Sequence, residues 1–411
     1  MPKPELLLPA GDFEKLKTAF LFGADAVYAG GKEFSLRAFA GNLTLEEMAA
    51  GIEYAHQIGK RVYITVNILA HNQDLDRLPP YLEQLQQIEA DGLIISDPGV
   101  LRLARRHAPA VPVTISTQAN VSNYESAAMY GELGASRIVL ARELSLDEIV
   151  MIKERVDIEL EMFVHGAMCV SYSGRCLLSH YMTGRSANRG ACAHPCRYQY
   201  AVMEEKRPGQ YYPLEEDERG SYLFNSRDLC LLQYIPELVE AGIDAFKIEG
   251  RMKSPLYVAA VARVYRQAIE NYRQNRRPFT DKDLEGWVRE LQATATRPFT
   301  TGFLFGEAAD IQDIYKQDMP GRADFCGVVK GYDAARSMIE VEQRANFGPG
   351  EPLQFMLPGG EILDLNLVEL FNEDGNLLDR ARHPRQRVYI PGPSFVPEYS
   401  ILRRIGKFYE R

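Results

Sequence analysis

The sequence lacks several features that would each point to a particular class of protein. No stretch approaches the ~20 consecutive apolar residues that a membrane helix needs, and the N-terminal segment MPKPELLLPAGD has no apolar signal-peptide core. The 411 residues carry a formal net charge of −9, which argues against a globally basic nucleic-acid binder, although a local basic patch would be enough to contact RNA. We therefore expect a cytoplasmic protein that does not associate with membranes.

Cysteine is also scarce, and its distribution is uneven. Four of the six cysteines fall within the stretch Glu159–Arg197, and they are Cys169, Cys176, Cys192 and Cys196. Their spacing is C-x6-C-x15-C-x3-C, and Cys230 follows in the segment NSRDLCLL. Structural disulfides are rare in the cytoplasm, so a bound metal is the first interpretation of this group of cysteines.

The spacing favours an iron–sulfur cluster over zinc. Structural zinc sites usually combine two C-x2–4-C pairs, and in this stretch only Cys192–Cys196 has that spacing. Long, uneven spacing suits a cluster that a loop holds through thiolate ligands. Buried, unreactive thiols are the alternative, and we expect Cys326, in a strand-like segment, to be of that kind.

A nucleophilic residue is a second chemical interpretation. A cysteine beside His165 would form the pair that some proteases and transferases use, but it would leave the other cysteines unexplained. Ser173 lacks the G-x-S-x-G context of a nucleophile elbow, and the chain contains no H-E-x-x-H metalloprotease motif.

The first ~270 residues alternate short apolar segments with amphipathic helical segments, as successive βα units do. We predict eight strands, at Glu5–Leu8, Ala26–Ala29, Val62–Asn67, Leu93–Ser96, Val113–Ser116, Arg137–Leu140, Glu159–Val164 and Ala245–Ile248. Thr44 with Glu47, and Ser145 with Glu148, have the spacing of a capping box. No G-x-G-x-x-G fingerprint follows any strand. The pattern predicts a (β/α)8 TIM-like barrel with a cysteine-bearing insertion after the seventh strand.

Changes in this pattern suggest the domain boundaries. We predict the barrel in residues 1–278, with an inserted hairpin at 197–225, and a helical connector in residues 279–320. In residues 321–411, alternating strands with glycine-rich turns predict a small C-terminal antiparallel β-barrel. Residues 380–411 hold eight Lys or Arg against Glu398 and Glu410, so this end presents either an RNA-contacting surface or a solvated basic face.

In a barrel of this kind the active site is built at the C-terminal ends of the strands, here called the mouth. The polar residues predicted there are Asn67, His71, Asp97, Gln118, Asn120, Arg142, Glu143, His165, Lys247, Glu249 and Arg251. The cysteine-rich stretch follows the seventh strand, so we expect it at the same mouth. The alternative for a single residue is a helix cap or an ion pair, such as Arg142 with Glu143 or Arg251 with Glu249.

The segment FVHGAMCVSYSGRCLLSHYMTGRSANRGACAHPCR resembles the signature of the collagenase-like peptidase family of unknown catalytic type, peptidase family U. The segments ELLLPAGDFEKLKTAFLFGADAVYAG, ISDPGVL, LARELSLDEI and FKIEGRMKSPLYVA look like the same family. The full-length bacterial members that the chain resembles most hydroxylate ring position 5 of the wobble uridine of tRNA, using prephenate rather than molecular oxygen. Related branches hydroxylate a ribosomal RNA cytidine or ubiquinone precursors and carry four-cysteine [4Fe–4S] clusters.

This resemblance implies a [4Fe–4S] cluster bound by Cys169, Cys176 and Cys192, with either Cys196 or Cys230 as the fourth ligand. It also implies prephenate as a co-substrate. Arg142 and Arg251 would suit such a dicarboxylate through charge-assisted contacts.

The resemblance and the predicted mouth together suggest roles for the remaining residues. Catalytic roles are predicted for His165, Arg142, Glu143, Glu249 and Arg251, and cofactor binding is predicted for Gln118, Asn120 and Lys247. Tyr172 and Tyr181 are candidates to stack on a base that has left the anticodon, and packing in the protein is the alternative for both.

Three hypotheses about function follow. The first is an RNA-modifying hydroxylase that acts on tRNA uridine, with prephenate and a second, paralogous chain of the family as partners. The second is a peptidase, as the family name says. The third is a scaffold subunit whose cluster is structural and whose partner performs the chemistry.

Overall fold

The computed structural model of the chain describes residues 3–36, 41–168, 178–185, 192–193, 195, 202–203, 211–212, 216–217, 220–221, 227–306, 322–393 and 395–406. Its largest unit is a closed barrel of eight parallel strands. These are β1 Glu5–Ala10, β2 Ala26–Gly30, β3 Arg61–Val66, β4 Gly92–Ile95, β5 Val113–Ile115, β6 Arg137–Val139, β7 Glu159–Ala167 and β8 Ala245–Ile248. Strand β8 pairs with both β1 and β7, which closes the ring. The predicted (β/α)8 barrel is confirmed, and each predicted strand overlaps an observed one.

Helices cover the outside of the barrel between successive strands. Those before β7 are α1 Phe13–Leu21, α2 Leu45–Gln57, α3 Asn72–Leu75, α4 Leu78–Gln87, α5 Pro98–His107, α6 Tyr124–Glu132 and α7 Leu146–Lys153. Both predicted capping boxes are present, Thr44 with Glu47 at the start of α2 and Ser145 with Glu148 at the start of α7. Among the residues that the structure describes, none of the helices combines the length and the apolar character needed to cross a membrane.

The two faces of the barrel strands bury different kinds of side chain. The outer faces pack apolar residues such as Leu6, Leu8 and Val27 against the helices in one continuous core. The lumen holds a smaller apolar group, which consists of Leu7, Ala26, Tyr28, Tyr63 and Ile94. Because successive side chains of a strand alternate between the two faces, the remaining inward positions are left for polar and charged residues.

The charged side chains of the lumen neutralise one another. Arg137 donates to Glu5 at 2.7 Å and to Glu161 at 3.2 Å, and Lys247 donates to Glu161 at 2.6 Å. Each of these four residues is at most 7% exposed. Buried charges persist in folded proteins when they are paired and hydrogen-bonded, so this network ties β1, β6, β7 and β8 together from within.

Between β7 and β8 the described residues form α8 (Leu178–Thr183), α9 (Ile235–Glu240) and several short ladders. Val202–Met203 pairs with Tyr211–Tyr212, and Glu216–Asp217 pairs with Gly220–Ser221, both antiparallel. The rest of the hairpin predicted at 197–225 lies outside the described residues. The short strand Asp228–Cys230 runs antiparallel to the end of β7 and sets Cys230 opposite His165, while its other edge pairs with Phe299–Thr300.

After β8, helices α10 (Pro255–Asn275) and α11 (Asp281–Thr294) lead to a C-terminal sheet. Its six antiparallel strands are β9 Asp324–Asp333, β10 Met338–Gln343, β11 Leu353–Met356, β12 Ile362–Leu365, β13 Arg387–Pro391 and β14 Ile401–Arg404, in the order β12-β11-β14-β9-β10-β13. The prediction of a small antiparallel C-terminal unit is confirmed. Its separate core contains Cys326, which is fully buried, as expected for an unreactive thiol.

Ion pairs fix the C-terminal sheet to the helices that cover the barrel. Arg403 on β14 donates to both carboxylate oxygens of Glu290 on α11, and both residues are buried. Arg344 donates to both oxygens of Glu14 on α1, at 2.8 and 2.7 Å, and Lys330 contacts the same carboxylate. The sheet is therefore held on two helices by specific charge pairs.

Most of the arginines at the basic C-terminal end are paired with carboxylates. The pairs are Arg380–Glu351, Arg382–Asp379, Arg387–Glu340, Arg403–Glu290, Arg404–Asp324 and Arg404–Glu351. Most of these carboxylates come from distant parts of the sequence. The local excess of positive charge along the chain therefore overstates the charge of this surface, although Lys407 and Arg411 lie outside the described residues.

We expect Glu290→Gln to lower the free energy of unfolding by about 3–5 kcal/mol, because it leaves the Arg403 guanidinium buried beside a neutral amide. The measurement is urea-induced unfolding followed by circular dichroism. The double variant Glu290→Leu/Arg403→Met removes both charges and should recover part of the loss, since apolar replacement of a buried pair is often neutral. The recovery is partial because Arg263 still loses its contact with Glu290. Unchanged stability in the single variant would show that the pair does not hold the sheet.

Candidate active site

The structure brings most of the predicted polar residues to the mouth, but some of them have local structural roles there. Asp97 is a helix cap, because its Oδ1 accepts the backbone N–H groups of Gly99 and Val100 at the start of α5. His71 precedes α3, where its backbone N–H donates to Asp74 at 2.8 Å. For Asp97 the capping alternative is thus the one that the structure favours.

Arg251 holds the loop that follows β2. It is 4% exposed, and its Nη1 donates to Ser35 Oγ at 3.0 Å and to the carbonyl oxygen of Leu36 at 2.9 Å. Its Nη2 donates to Asn42 Oδ1. The guanidinium lies so close to Gly30 that a Cβ atom there would overlap it. Arg251 thus stabilises the loop through hydrogen bonds, and a direct contact with a substrate stays a prediction.

A second set of hydrogen bonds joins this loop to the ends of β3 and β5. Asn67 Oδ1 accepts the Leu36 N–H at 3.1 Å, and its Nδ2 donates to Gln118 Oε1 at 2.7 Å. Asn120 has a left-handed backbone, with φ 56°, and its Nδ2 donates to the Gln118 carbonyl at 2.9 Å. Gln118 and Asn120, both predicted to bind a cofactor, therefore lie together on one side of the mouth.

Glu249 and Lys247 lie at different depths of the barrel. Glu249, at the end of β8, accepts the Tyr28 hydroxyl at 3.3 Å and the Gly250 N–H. Lys247, two residues earlier, is bonded to Glu161 and lies with Nζ 4.5 Å from the centre of the Tyr28 ring. Burial lowers the pKa of Lys247, although Glu161 opposes this shift. Glu249 thus faces the mouth, whereas Lys247 belongs to the lumen network.

Among the described residues, Arg142 makes fewer hydrogen bonds than Arg251 does. Its Nη1 donates to the Ala167 carbonyl at 2.7 Å, and its guanidinium lies 4.0 Å from the centre of the Phe163 ring. Its Nε is buried and has no hydrogen-bond partner in the part of the chain that the structure describes. Within the same residues Arg142 forms no ion pair, and burial raises the pKa of the neighbouring Glu143.

A small pocket opens beside Arg142. Apart from Arg142 and Thr301 its lining is apolar, and it includes Leu140, Leu144 and Leu304. A charge interacts more strongly with its partners in apolar surroundings than in water. The charge of this guanidinium is therefore screened less than that of an exposed arginine.

His165 and Cys230 lie side by side on neighbouring strands. His165 is 2% exposed, and its ring packs among those of Tyr257, Tyr265 and Phe299, with centroids 6.0, 5.5 and 5.4 Å away. Burial lowers the pKa of His165 to about 3, and Lys253 adds to the shift. Burial raises the pKa of Cys230 to about 11. A neutral imidazole beside a protonated thiol is not the ion pair that activates a nucleophilic cysteine.

Tyr265 on α10 belongs to this group, although the sequence analysis did not single it out. Its hydroxyl donates to the Val164 carbonyl at 2.8 Å and lies 3.3 Å from His165 Nδ1 and 3.9 Å from Cys230 Sγ. The available signal was the position of Tyr265 in the apolar segment YVAAVARVY of a long helix. A hydroxyl on a buried helical face needs a partner, so it indicates a polar contact inside.

The remaining cysteines are only partly described. Cys169, Cys176 and Cys196 lie outside the described residues, as do Tyr172, Ser173 and the side chain of Tyr181. Cys192 is partly exposed, and Ala193 beside it donates its N–H to Ser179 Oγ at 3.0 Å, which ties this point to α8. Cys192, Cys230 and Cys326 form no disulfide. No group of three or more metal-ligating side chains occurs among the described residues, so the ligand set stays a prediction.

Comparison with known proteins gives two family matches, which together extend over both structural units. Residues 11–313 match Peptidase family U32, and residues 321–403 match the Peptidase family U32 C-terminal domain. The chain is also 42% identical over 387 residues to tRNA hydroxylation protein P1 of Bacillus subtilis (strain 168), which covers 94% of this chain and 91% of that protein.

Two relatives from Escherichia coli (strain K12) extend this comparison. The tRNA hydroxylation protein P is 36% identical over 447 aligned positions, which cover 98% of this chain and 97% of that protein. The 23S rRNA 5-hydroxycytidine C2501 synthase is 35% identical over 311 residues, which cover 75% of this chain and 46% of that protein. The resemblance seen in the cysteine-rich segment is thereby confirmed, and the chain belongs to peptidase family U32.

Proposed function

We propose that this chain is an RNA-modifying enzyme that hydroxylates ring position 5 of the wobble uridine of tRNA, with an iron–sulfur cluster and prephenate as co-substrate. The observation that carries the proposal is the near full-length similarity to proteins named for tRNA hydroxylation. A third relative is named for forming a hydroxycytidine in ribosomal RNA, which is a comparable change of a pyrimidine. These three relatives are named for RNA hydroxylation and not for peptide cleavage.

The residues that would hold the cluster are Cys169, Cys176, Cys192 and either Cys196 or Cys230. The surroundings of Cys230 support it as the fourth ligand. The hydroxyl of Tyr265 lies 3.9 Å from its sulfur, and the backbone N–H of Leu232 partly offsets the upward shift that burial gives the pKa of the thiol. Donors of this kind stabilise the thiolate ligands of iron–sulfur clusters. A bound cluster would supply single-electron transfer at the mouth.

Arg142 is the residue best suited to bind the carboxylate of the co-substrate. Both Nη atoms of Arg251 donate to the loop after β2, and Nζ of Lys247 donates to Glu161. Among the described residues Arg142 donates a single hydrogen bond, from Nη1 to the Ala167 carbonyl. Because Ala167 holds Nη1, the edge formed by Nε and Nη2 remains for a two-point contact with a carboxylate. Ala167 precedes Cys169 by two residues, so the anion would be bound at the base of the cysteine-rich segment.

Peptidase activity has less support in the same residues. A cysteine peptidase needs a thiolate activated by a neighbouring histidine. In the described part of the mouth, the thiol beside His165 is that of Cys230, and burial keeps both groups uncharged at neutral pH. We therefore keep the peptidase hypothesis as an outcome of the tests below and not as a second proposal.

Nucleoside analysis tests the proposed function. In a bacterial strain that lacks its own tRNA hydroxylation genes, expression of this chain should restore 5-hydroxyuridine-type nucleosides in digested tRNA, as measured by liquid chromatography and mass spectrometry. Ribosomal RNA from the same cells is the control substrate. Restoration of hydroxycytidine in ribosomal RNA alone would contradict the tRNA assignment. Peptide cleavage by the purified chain with no change in either RNA would overturn the proposal.

Metal analysis tests the ligand set. Anaerobically purified protein should contain about four irons and four acid-labile sulfides per chain, and Cys230→Ala should lose at least half of the iron, because three ligands hold the cluster poorly. Cys326→Ala is the matched control, since it removes a buried thiol from the C-terminal core and should keep all the iron. If Cys196→Ala loses the iron while Cys230→Ala keeps it, the assignment of Cys230 is wrong. Zinc in place of iron would exclude the cluster.

Arg142→Gln should weaken prephenate binding by about 10-fold to 100-fold, because a hydrogen bond to a charged group is worth about 1.5–3 kcal/mol. Isothermal titration calorimetry on the anaerobic protein measures this change. Arg155→Gln is the control, since Arg155 also stacks on an aromatic ring, 4.4 Å from the centre of Tyr124, but is exposed on the outer helices, where it follows α7 and contacts the start of α6. Equal weakening in both variants, or none in Arg142→Gln, would contradict this role.

A further inference from the structure

Tyr265 is a buried residue whose hydroxyl lies next to the sulfur of Cys230, the proposed fourth ligand. It is 0% exposed, and its hydroxyl lies 2.8 Å from the Val164 carbonyl, 3.3 Å from His165 Nδ1 and 3.9 Å from Cys230 Sγ. A hydroxyl carries one proton, so it donates to one of these three neighbours at a time. The strongest acceptor among them decides where the proton points.

The packing of α10 fixes the position of the ring. Small buried residues such as Ala259, Ala260 and Ala262 let the helix approach the barrel strands closely. Tyr257, two helical turns before Tyr265, is also buried, and its hydroxyl donates to the Glu249 carbonyl at 2.8 Å. Both tyrosines therefore direct a hydroxyl at the ends of the barrel strands, and of the two it is Tyr265 that reaches a cysteine sulfur.

The Val164 carbonyl does not depend on the tyrosine proton. It also accepts the backbone N–H of Leu231 at 2.9 Å, so it stays hydrogen-bonded when the hydroxyl turns away. The ring of His165 can either donate to the tyrosine oxygen or accept from it through Nδ1. The hydroxyl can thus rotate toward Sγ of Cys230 without leaving a buried acceptor unsatisfied.

We propose that Tyr265 donates a hydrogen bond to the Cys230 thiolate when Cys230 ligates iron, and that this bond raises the reduction potential of the cluster. The inference rests on the proposed function, because it requires Cys230 to be a ligand. A thiolate is negatively charged, and hydrogen bonds to charged acceptors are stronger than those to neutral ones. Tyr265 is therefore a positioning residue that acts through Cys230.

The direction of the effect follows from charge. One-electron reduction, with the electron supplied by added dithionite, makes the cluster and its thiolates more negative and moves no proton. A donor at the sulfur therefore stabilises the reduced form more than the oxidised form, and hydrogen bonds to the sulfurs are among the factors that set the potentials of such clusters. Removal of the donor should lower the potential.

Tyr265→Phe removes the hydroxyl and keeps the ring. The anaerobic protein is titrated with dithionite and followed by electron paramagnetic resonance. At a fixed potential the ratio of reduced to oxidised cluster should fall about tenfold, which corresponds to a midpoint potential lower by ~59 mV for a one-electron couple. Tyr257→Phe is the matched control, because it also removes a buried hydroxyl that donates to a backbone carbonyl. Its midpoint potential should equal that of the unmodified protein.

The outcomes separate this inference from the proposed function. An unchanged midpoint in Tyr265→Phe, or an equal fall in both variants, would overturn the inference and leave the cluster in place. Absence of iron and sulfide from the unmodified protein would overturn the proposed cluster and the inference with it. If Tyr265→Phe does not fold, 3-fluorotyrosine at position 265 provides a second test. Its more acidic hydroxyl is a stronger donor and should raise the midpoint, and no rise would count against the inference.

Discussion

The difference in length between β6 and β7 is the constraint on which the mouth depends. Strand β6 ends at Val139, opposite Glu161, whereas β7 continues to Ala167. The edge of β7 that β6 leaves exposed is taken by Asp228–Cys230, which runs in the opposite direction. Unpaired strand edges leave backbone groups without partners, so the extra length of β7 requires such a strand. Cys230 reaches the mouth for this reason.

The opposite edge of β7 pairs with β8 and closes the barrel, and the backbones of the two strand ends approach each other closely there. The pairing shifts register between Lys247 and Ile248. Gly166 has φ +106°, and a Cβ atom at that position would overlap the Glu249 carbonyl. A glycine adopts this conformation without strain, and its missing side chain lets the ends of the two strands meet. The end of β7 is thus fixed on both edges immediately before the cysteine-rich segment begins.

Elements with a local signal could be predicted from the sequence, and contacts between distant elements could not. The barrel strands are recognisable because they are apolar on both faces for much of their length, and the capping boxes of α2 and α7 involve residues three positions apart. The pairing of Arg251 with Ser35, by contrast, depends on two loops that meet only after the barrel closes. The number of charges near the C-terminus was misleading for the same reason, since Glu290 and Asp324 neutralise arginines far along the chain.

The two points at which Arg142 and Cys230 contact β7 bear on the choice between a chemical and a structural metal site. Arg142 donates a hydrogen bond to the Ala167 carbonyl, and Cys230 is paired with His165. Ala167 and His165 are two residues apart on β7. At about 3.3 Å per residue this separation is about 7 Å. The buried cations of the lumen each face a carboxylate, whereas within the described residues Arg142 contacts a carbonyl and an aromatic ring and forms no ion pair. A purely structural cluster has no use at that distance for a guanidinium that forms no ion pair with the described residues. An enzyme that binds an anionic co-substrate next to a redox centre needs such a guanidinium. The position of Arg142 therefore favours chemistry at the mouth over a scaffold role.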